Sequence, residues 1–322
     1  LNQIGGNDDL IFDGNSFILD KKGRRIKQLN SFKEDFFCWD MNKKNISPQE
    51  SDISDLESIF DALVLGVKDY AKKCGFKTAL IGLSGGIDSA LVTVIAAAAL
   101  GSKNVFSIAM PSKWNSINSK IDAEELAKRL NINFDSISIE NLFDSFKTSL
   151  EDSINLNIEG IVSENIQSRI RGNLLMAISN KFGCLVLSTG NKTELALGYC
   201  TLYGDMSGGL SAIGDLNKTE VYELSKWINQ NKELIPENII VKEPSAELAP
   251  NQVDPFDYEL ISPIVDKIVF GDTNQLDQEF LNLKKKININ EHKRRQAAPV
   301  LRVSKKAFGI GRRIPIVNHF HE

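Results

Sequence analysis

Apolar residues along this chain change rhythm several times, and the changes divide it. Leu56, Ile59, Phe60, Leu63, Leu65, Val67 and Tyr70 form a helical stripe, and Gly75 stands where such a helix would stop. Thr78-Ala79-Leu80-Ile81 is a short charge-free run that predicts a buried strand, whereas 90–100 is apolar for too long and predicts a helix. Strands at 105–110, 134–139 and 185–188 then alternate with helices at 119–130, 140–150 and 166–182. Strand and helix repeating at these lengths predict an α/β fold built as a doubly wound parallel sheet. In such a sheet ligands bind beyond the carboxyl ends of the strands, where strand order reverses.

The beginning of the chain follows a different pattern. Residues 1–20 read as short strands punctuated by Gly, Asn and Asp, with a further turn at Lys21-Lys22-Gly23, and they carry too little apolar mass to fold alone. A polar, aperiodic stretch at 41–55 follows. The expected organisation is a β-rich segment at 1–40, a linker at 41–55 and an α/β unit at 56–322.

Composition narrows the class. The chain has 322 residues, 42% hydrophobic and 25% charged, which fits a soluble globular protein of one large or two medium domains. Its longest apolar run, at 95–100, is far below the ~20 residues that cross a bilayer, so no membrane association is expected. The net charge of −4 does not point to nucleic acid, although the carboxyl quarter is basic, with Lys284, Lys285, Lys286, Lys293, Arg294, Arg295, Arg302, Lys305, Lys306, Arg312 and Arg313. No nucleic-acid motif accompanies these cations, and a phosphate-rich substrate is reason enough for them. Cys38, Cys74, Cys184 and Cys200 form no CxxC pair and have no nearby His, which argues against zinc or a disulfide framework and suits the cytoplasm. With no signal pattern and no initiator Met, the chain is expected to be part of something longer.

Candidate chemistry begins between the 78–81 strand and the 90–100 helix, at Ser84-Gly85-Gly86-Ile87-Asp88-Ser89. Two glycines let a ligand approach the backbone, and free N–H groups with the helix dipole favour an anion there. The loop lacks the Gly-Lys-Ser/Thr of a Walker motif and the spacing of a dinucleotide fingerprint. It resembles the S-G-G-x-D-S pyrophosphate loop of the N-type ATP pyrophosphatases, which split ATP into AMP and pyrophosphate while activating a carboxyl or carbonyl oxygen. The resemblance implies that ATP is bound by Ser84, Gly85, Gly86, Asp88 and Ser89. A carboxylate beside phosphates is useful mainly with Mg²⁺ between them, while as a plain helix cap Asp88 would need no metal.

Further motifs narrow the family. Glu164-Asn165-Ile166-Gln167-Ser168-Arg169-Ile170-Arg171-Gly172-Asn173, Ser188-Thr189-Gly190-Asn191-Lys192-Thr193-Glu194, Gly198-Tyr199-Cys200-Thr201-Leu202-Tyr203-Gly204-Asp205, Leu216-Asn217-Lys218-Thr219, Lys242-Glu243-Pro244-Ser245-Ala246-Glu247-Leu248 and Glu291-His292-Lys293-Arg294 follow in order. Together they resemble the NAD synthetases of the glutamine-dependent kind. That resemblance implies adenylation of the nicotinate carboxylate of nicotinic acid adenine dinucleotide by ATP, with release of pyrophosphate. Ammonia, drawn from glutamine, would then displace AMP. Asn2-Gln3-Ile4-Gly5-Gly6 and Phe12-Asp13-Gly14-Asn15-Ser16-Phe17 are similar to the end of a nitrilase-type glutaminase domain, whose catalytic residues would precede Leu1. A hairpin extension of the second unit is the other reading of this segment. Cys38 lies in apolar Phe36-Phe37-Cys38-Trp39, which disfavours a thiolate nucleophile.

The resemblance also implies roles by position. Asp88 and Glu194 would hold Mg²⁺; Arg171, Thr189, Lys218 and Ser245 would join the loop in binding ATP; Arg169, Tyr199, Asp205 and Lys293 would face the acceptor; Asp88, Asp205 and Lys218 would be catalytic. Three have a plainer alternative: Glu194 as a helix-start acid, Tyr199 as a core aromatic, Asp205 as part of a Gly-Asp turn. Arg169 and Arg171, two apart on a helix, cannot share a face, so one at most should enter the site. Loops at 112–118 and 241–256 are the expected lids. Asn251 stands where the family has Gly after Pro250, and the stretch to Asp257 is short. His292 is expected to be structural, and His319 and His321 to belong to a tail. A homodimer or higher oligomer is implied as well. Rival readings are another amidating or thiolating ligase on the same loop, or an ATP-binding module that turns nothing over.

Overall fold

The structure, a computed structural model, describes residues 1–40, 54–271, 277–309 and 311–317. At the amino end β1 (Ile4–Asn7) pairs antiparallel with β2 (Leu10–Asp13), and β3 (Phe17–Leu19) with β4 (Arg25–Gln28). This segment is tied to the helix that follows, α1 (Asp55–Lys73). Asp69 Oδ2 accepts the Gly6 N–H at 2.8 Å, and Lys73 Nζ donates to the Gly6 carbonyl. Most of the expected linker, 41–53, and His319 and His321 lie outside the described residues.

The α/β unit then runs β5 (Ala79–Gly82), α2 (Ile87–Leu100), β6 (Val105–Ala109), α3 (Ile117–Leu130), β7 (Asn133–Ser136), α4 (Glu140–Ile154), α5 (Gly160–Phe182), β8 (Leu185–Ser188), α6 (Lys192–Leu197) and β9 (Leu210–Ser211). Its five strands form one parallel sheet in the order β7-β6-β5-β8-β9. Strand side chains alternate between faces, and β5 shows why its run is apolar throughout. Ala79 and Ile81 enter a core with α1, α2 and α3, whereas Leu80 enters a second core with α5. The chain builds outward from β5 to β7, crosses back through α5 and resumes at β8. Order therefore reverses between β5 and β8, and the loops that follow these two strands open side by side.

Beyond the sheet come α7 (Lys218–Ile228), α8 (Glu237–Val241), α9 (Tyr258–Phe270), α10 (Gln278–Ile289) and α11 (Glu291–Arg294). α7 joins the first core, and α9 and α10 build a third with α6. The doubly wound parallel sheet is the one expected from the sequence; the differences are local. α2 starts at Ile87, so Asp88 and Ser89 are first-turn residues rather than loop. α5 starts at Gly160, six positions before the apolar pattern begins. β7 ends at Ser136 because the next residues leave the ladder, with Ile139 buried in the second core. β9 has two residues, too few for any periodicity.

One close approach fixes the loop after β5. Gly85 has φ +81°, and a Cβ there would lie 2.1 Å from the Ser119 carbonyl oxygen at the start of α3. Gly75 has a similar φ of +82° with nothing within 4 Å. Gly75→Ala should therefore cost only the left-handed strain, about 1–2 kcal/mol. Gly85→Ala adds a backbone clash and should cost about 3 kcal/mol, read from urea unfolding of the two variants.

Candidate active site

Where the two loops meet, the fold encloses a cavity of about 300 Å³. One wall is the 84–89 loop, which folds on itself. Ser84 Oγ lies 3.0 Å from Ser89 Oγ, the Gly86 N–H donates to Ser84 Oγ (3.2 Å), and Ser89 Oγ donates to the Gly86 carbonyl (3.0 Å). No side chain caps α2, so its first N–H groups remain for an anion.

The adjoining wall starts at the end of β8. Asn191 caps α6 in a reciprocal box with Glu194, and Asn217 caps α7 in the same way with Glu220. Asn191 Nδ2 also donates to Asp88 Oδ1 at 3.0 Å. Lys218, the first residue of α7, is 3% exposed and extends its ammonium to Asp88 and to within 3.6 Å of Glu194. Burial, and then the charge of Asp88, push the Glu194 carboxyl up to about 8, against the pull of Lys218. For Lys218 burial acts downward, but Asp88 and Glu194 outweigh it and its pKa rises.

Among the described residues no group of three or more His, Cys, Asp or Glu could hold a metal. Two crowded carboxylates are what the chain offers, and they fit Mg²⁺, which takes one or two protein carboxylates and completes its shell from phosphate and water.

Across the cavity, α5 supplies Arg171. Its Nε donates to the Met110 carbonyl (2.9 Å) and its Nη2 to Asn115 Oδ1 (3.2 Å), and burial lowers its pKa to about 10. Asp205 opens to the cavity and accepts the Thr201 N–H (3.0 Å) and the Ser168 hydroxyl (2.9 Å). The protein mass around it raises its carboxyl against those two donors. This corner is tight: a Cβ on Gly204 would meet Ser168 Oγ at 2.2 Å. Tyr199 donates to Asp254 Oδ1 (3.1 Å), Tyr258 donates to Asp254 Oδ2 (2.8 Å), and Phe256 sets its ring edge-on to Tyr199 at 5.3 Å. Burial, followed by Asp205, pushes the Cys200 thiol up to about 12, so it is not a nucleophile at neutral pH.

The two expected lids touch. Glu247, at φ +48°, accepts from Asn115 Nδ2 (3.0 Å), Ser119 Oγ (2.7 Å) and Lys242 Nζ. Ser245 Oγ donates to the Gln252 carbonyl at 2.5 Å and holds the second lid's own turn.

Of the residues singled out in the sequence, Ser84, Gly86, Asp88 and Ser89 line one side of the cavity, with Thr189, Glu194 and Lys218 beside them. Arg171, Tyr199, Asp205 and Ser245 line the rest. Gly85 backs onto Ser119 instead. Arg169 turns away and donates to the Leu202 carbonyl (3.2 Å), as the helix geometry required of one of the two arginines. Lys293 is outside the wall, its ammonium on the carbonyls of Gly198 (2.8 Å) and Cys200 (2.9 Å). Sequence reasoning gave no role to Lys242, Glu247, Asn115 or Asp254. The first two stand inside a motif already noted, and Asn115 and Asp254 fall within the two expected lids without a signal of their own.

The Glu194 shift makes stability depend on pH. Between its ordinary 4.5 and about 8 the folded chain keeps a proton that the unfolded chain has lost, so stability falls as pH rises through that window. Glu220, pushed by burial up to about 7, acts in the same direction over a lower range. In Glu194→Gln the decline in urea midpoint should become shallower across the whole window and flatten from pH 7 to 8, leaving only the Glu220 share below pH 7.

Comparison with known proteins agrees with this geometry. A family model described as NAD synthase matches residues 59–297. The glutamine-dependent NAD(+) synthetase of Synechocystis is 47% identical over all of this chain, which spans 60% of that protein's length. A solved glutamine-dependent NAD+ synthetase from Acinetobacter baumannii, in complex with adenosine diphosphate, is 39% identical with a TM-score of 0.71, over 98% of this chain and 61% of that one. The NMN synthetase of Francisella tularensis is 29% identical with a TM-score of 0.65, over 75% of this chain and 96% of that one. A parallel sheet whose switch point carries the Ser84 loop, Asp88, Glu194 and Lys218, with a family match across most of its length, places this chain in the NAD synthase family.

Proposed function

We propose that this chain forms the amide of NAD: ATP adenylates the nicotinate carboxylate of nicotinic acid adenine dinucleotide, and ammonia then displaces AMP. The observation that carries this reading is the Asp88–Lys218–Glu194 cluster, which faces the Tyr199–Asp205 corner across one cavity. In the first step a carboxylate oxygen attacks the α-phosphorus and the bond to the β-phosphate oxygen breaks. The protein must neutralise charge and hold attacker and leaving group in line. The 84–89 loop binds the pyrophosphate portion with backbone N–H groups and hydroxyls, and Lys218 and Arg171 offset the growing negative charge. Asp88 and Glu194 would hold Mg²⁺, which would supply Lewis-acid neutralisation of the phosphates. In the second step ammonia attacks the carbonyl carbon and AMP leaves. Asp205 attracts the ammonium and takes its proton, and Tyr199 lies against the pyridine ring.

Residues 1–40 we read as the end of a nitrilase-like domain, 41–55 as a linker and 56–322 as the synthetase domain. The relatives named glutamine-dependent are longer, so glutamine belongs to the whole protein's reaction and ammonia to this domain's. Four free cysteines, none paired, fit the cytoplasm. A homodimer is supported by α4, which buries none of its residues although Leu142 (41% exposed), Phe146 (47%) and Ile154 (66%) lie along it. Ile161 (71%), at the start of α5, adds to the exposed apolar residues next to it in the chain.

Pyrophosphate release should require ATP, Mg²⁺, the dinucleotide acid and ammonium together, and Asp88→Asn should lower it about 100-fold or more. ATP binding without acceptor-dependent release would sink the reading, and preference for the mononucleotide acid would move it toward the Francisella relative. In sedimentation the chain should run at twice its 35.8 kDa, and Leu142→Asp with Phe146→Asp should return it to the single mass.

A further inference from the structure

α6 has six residues, too few to hold its own shape, yet it carries Glu194. Its amino end is fixed by the Asn191 box and by the Lys192 N–H on the Leu216 carbonyl at 2.8 Å. Its carboxyl end exposes carbonyls with no partner inside the helix. The Glu194 carbonyl is taken by the Gly198 and Tyr199 N–H groups, and one turn of chain near the carboxyl terminus takes the rest. Arg294 Nη1 donates to the carbonyls of Leu195 and Ala196, both at 3.0 Å, and Asn290 Nδ2 donates to that of Leu197 at 3.0 Å. Lys293 continues the series on Gly198 and Cys200.

The fit is close on both sides. Gly198 has φ +68°, and a Cβ there would lie 2.1 Å from Asn290 Oδ1. Arg294 is 7% exposed; its Nη2 bonds the Ile287 carbonyl and Glu291 Oε2 (3.1 Å), and its guanidinium stacks 4.7 Å from the centre of the Phe308 ring. A planar fork is needed to serve carbonyls on two elements and a carboxylate at once, and the positive charge also suits a helix carboxyl end. Arg294 does not line the cavity.

We propose that Arg294 is a positioning residue for the Glu194 carboxylate, fixing α6 from behind so that Glu194 and Asp88 stay within reach of one cation. The proposal rests on the reading of Glu194 as a Mg²⁺ ligand. Without the guanidinium the Leu195, Ala196 and Ile287 carbonyls lose their donor, the last turn of α6 loosens, and Glu194 loses its fixed separation from Asp88. Groups that orient a metal ligand typically govern metal affinity by about 10–100-fold. Contacts to the adenine end of the nucleotide are untouched.

The test measures Mn²⁺ affinity in the presence of a non-hydrolysable ATP analogue, by the electron paramagnetic resonance signal of free Mn²⁺, beside nucleotide affinity without metal. Arg294→Met, shown to unfold cooperatively, should weaken Mn²⁺ binding about 10-fold or more with nucleotide affinity within about threefold. In Arg294→Ala, whose truncated side chain leaves room for it, added methylguanidinium should restore much of the loss, which a general loosening of the fold would not allow. Unchanged Mn²⁺ affinity, or an equal loss of Mn²⁺ and metal-free nucleotide binding, overturns the proposal. Should Arg294→Met fail to fold, Asn290→Ala decides: weaker Mn²⁺ binding supports the clamp, and no change overturns it. Glu194→Gln separates the two layers. If it leaves Mn²⁺ affinity intact, the reading of Glu194 falls and the proposal with it; if it weakens Mn²⁺ while Arg294→Met does not, only the proposal falls.

Discussion

The ammonium of Lys218 between Asp88 and Glu194 is the contact on which this site depends. Each of the three residues lies in the first turn of its helix, Asp88 in α2, Glu194 in α6 and Lys218 in α7, so three amino-terminal dipoles point at one spot. Two acids are at home there, whereas a buried cation is not. Lys218 is tolerable because both carboxylates face it, and the carboxylates are tolerable because it faces them. With Glu194 holding its proton up to about pH 8, Lys218 balances Asp88 and the cluster is close to neutral; a divalent cation arriving with phosphate would displace that proton.

Such a balance needs helix starts that do not drift. The α6 and α7 starts are pinned by matching capping boxes, and α2 is pinned by its glycine turn pressed against Ser119. The rim is made differently. Its closure relies on Glu247 in a left-handed backbone conformation and on one carboxylate shared between two tyrosine hydroxyls. Strained or long-range contacts of this kind can be exchanged during a reaction cycle, and capped helix starts cannot be exchanged cheaply.

The basic carboxyl quarter is used in an unexpected way. By composition it suits a phosphate-facing surface. In the fold much of its charge is paired with oxygens of the chain itself: Lys293 and Arg294 with carbonyls at the end of α6, Arg295 with the Glu291 carboxylate and the Ile314 carbonyl, and Arg302 with the Ser304 and Lys305 carbonyls. Long cationic side chains carry several donors, and an irregular segment supplies acceptors that no strand or helix has paired.

The sequence by itself determined the doubly wound sheet, because apolar period and glycine stops are local, and it determined the Ser84 loop, because turn chemistry is read within a few residues. Only the tertiary structure decided which of Arg169 and Arg171 enters the cavity, that Lys218 crosses to Asp88 about 130 positions earlier, that Asp254 meets Tyr199, and that Lys293 serves carbonyls rather than the cavity wall. Those outcomes rest on pairings between distant segments. A donor's choice among distant acceptors is set by which of them the packed helices bring within about 3 Å, and no local pattern encodes that distance.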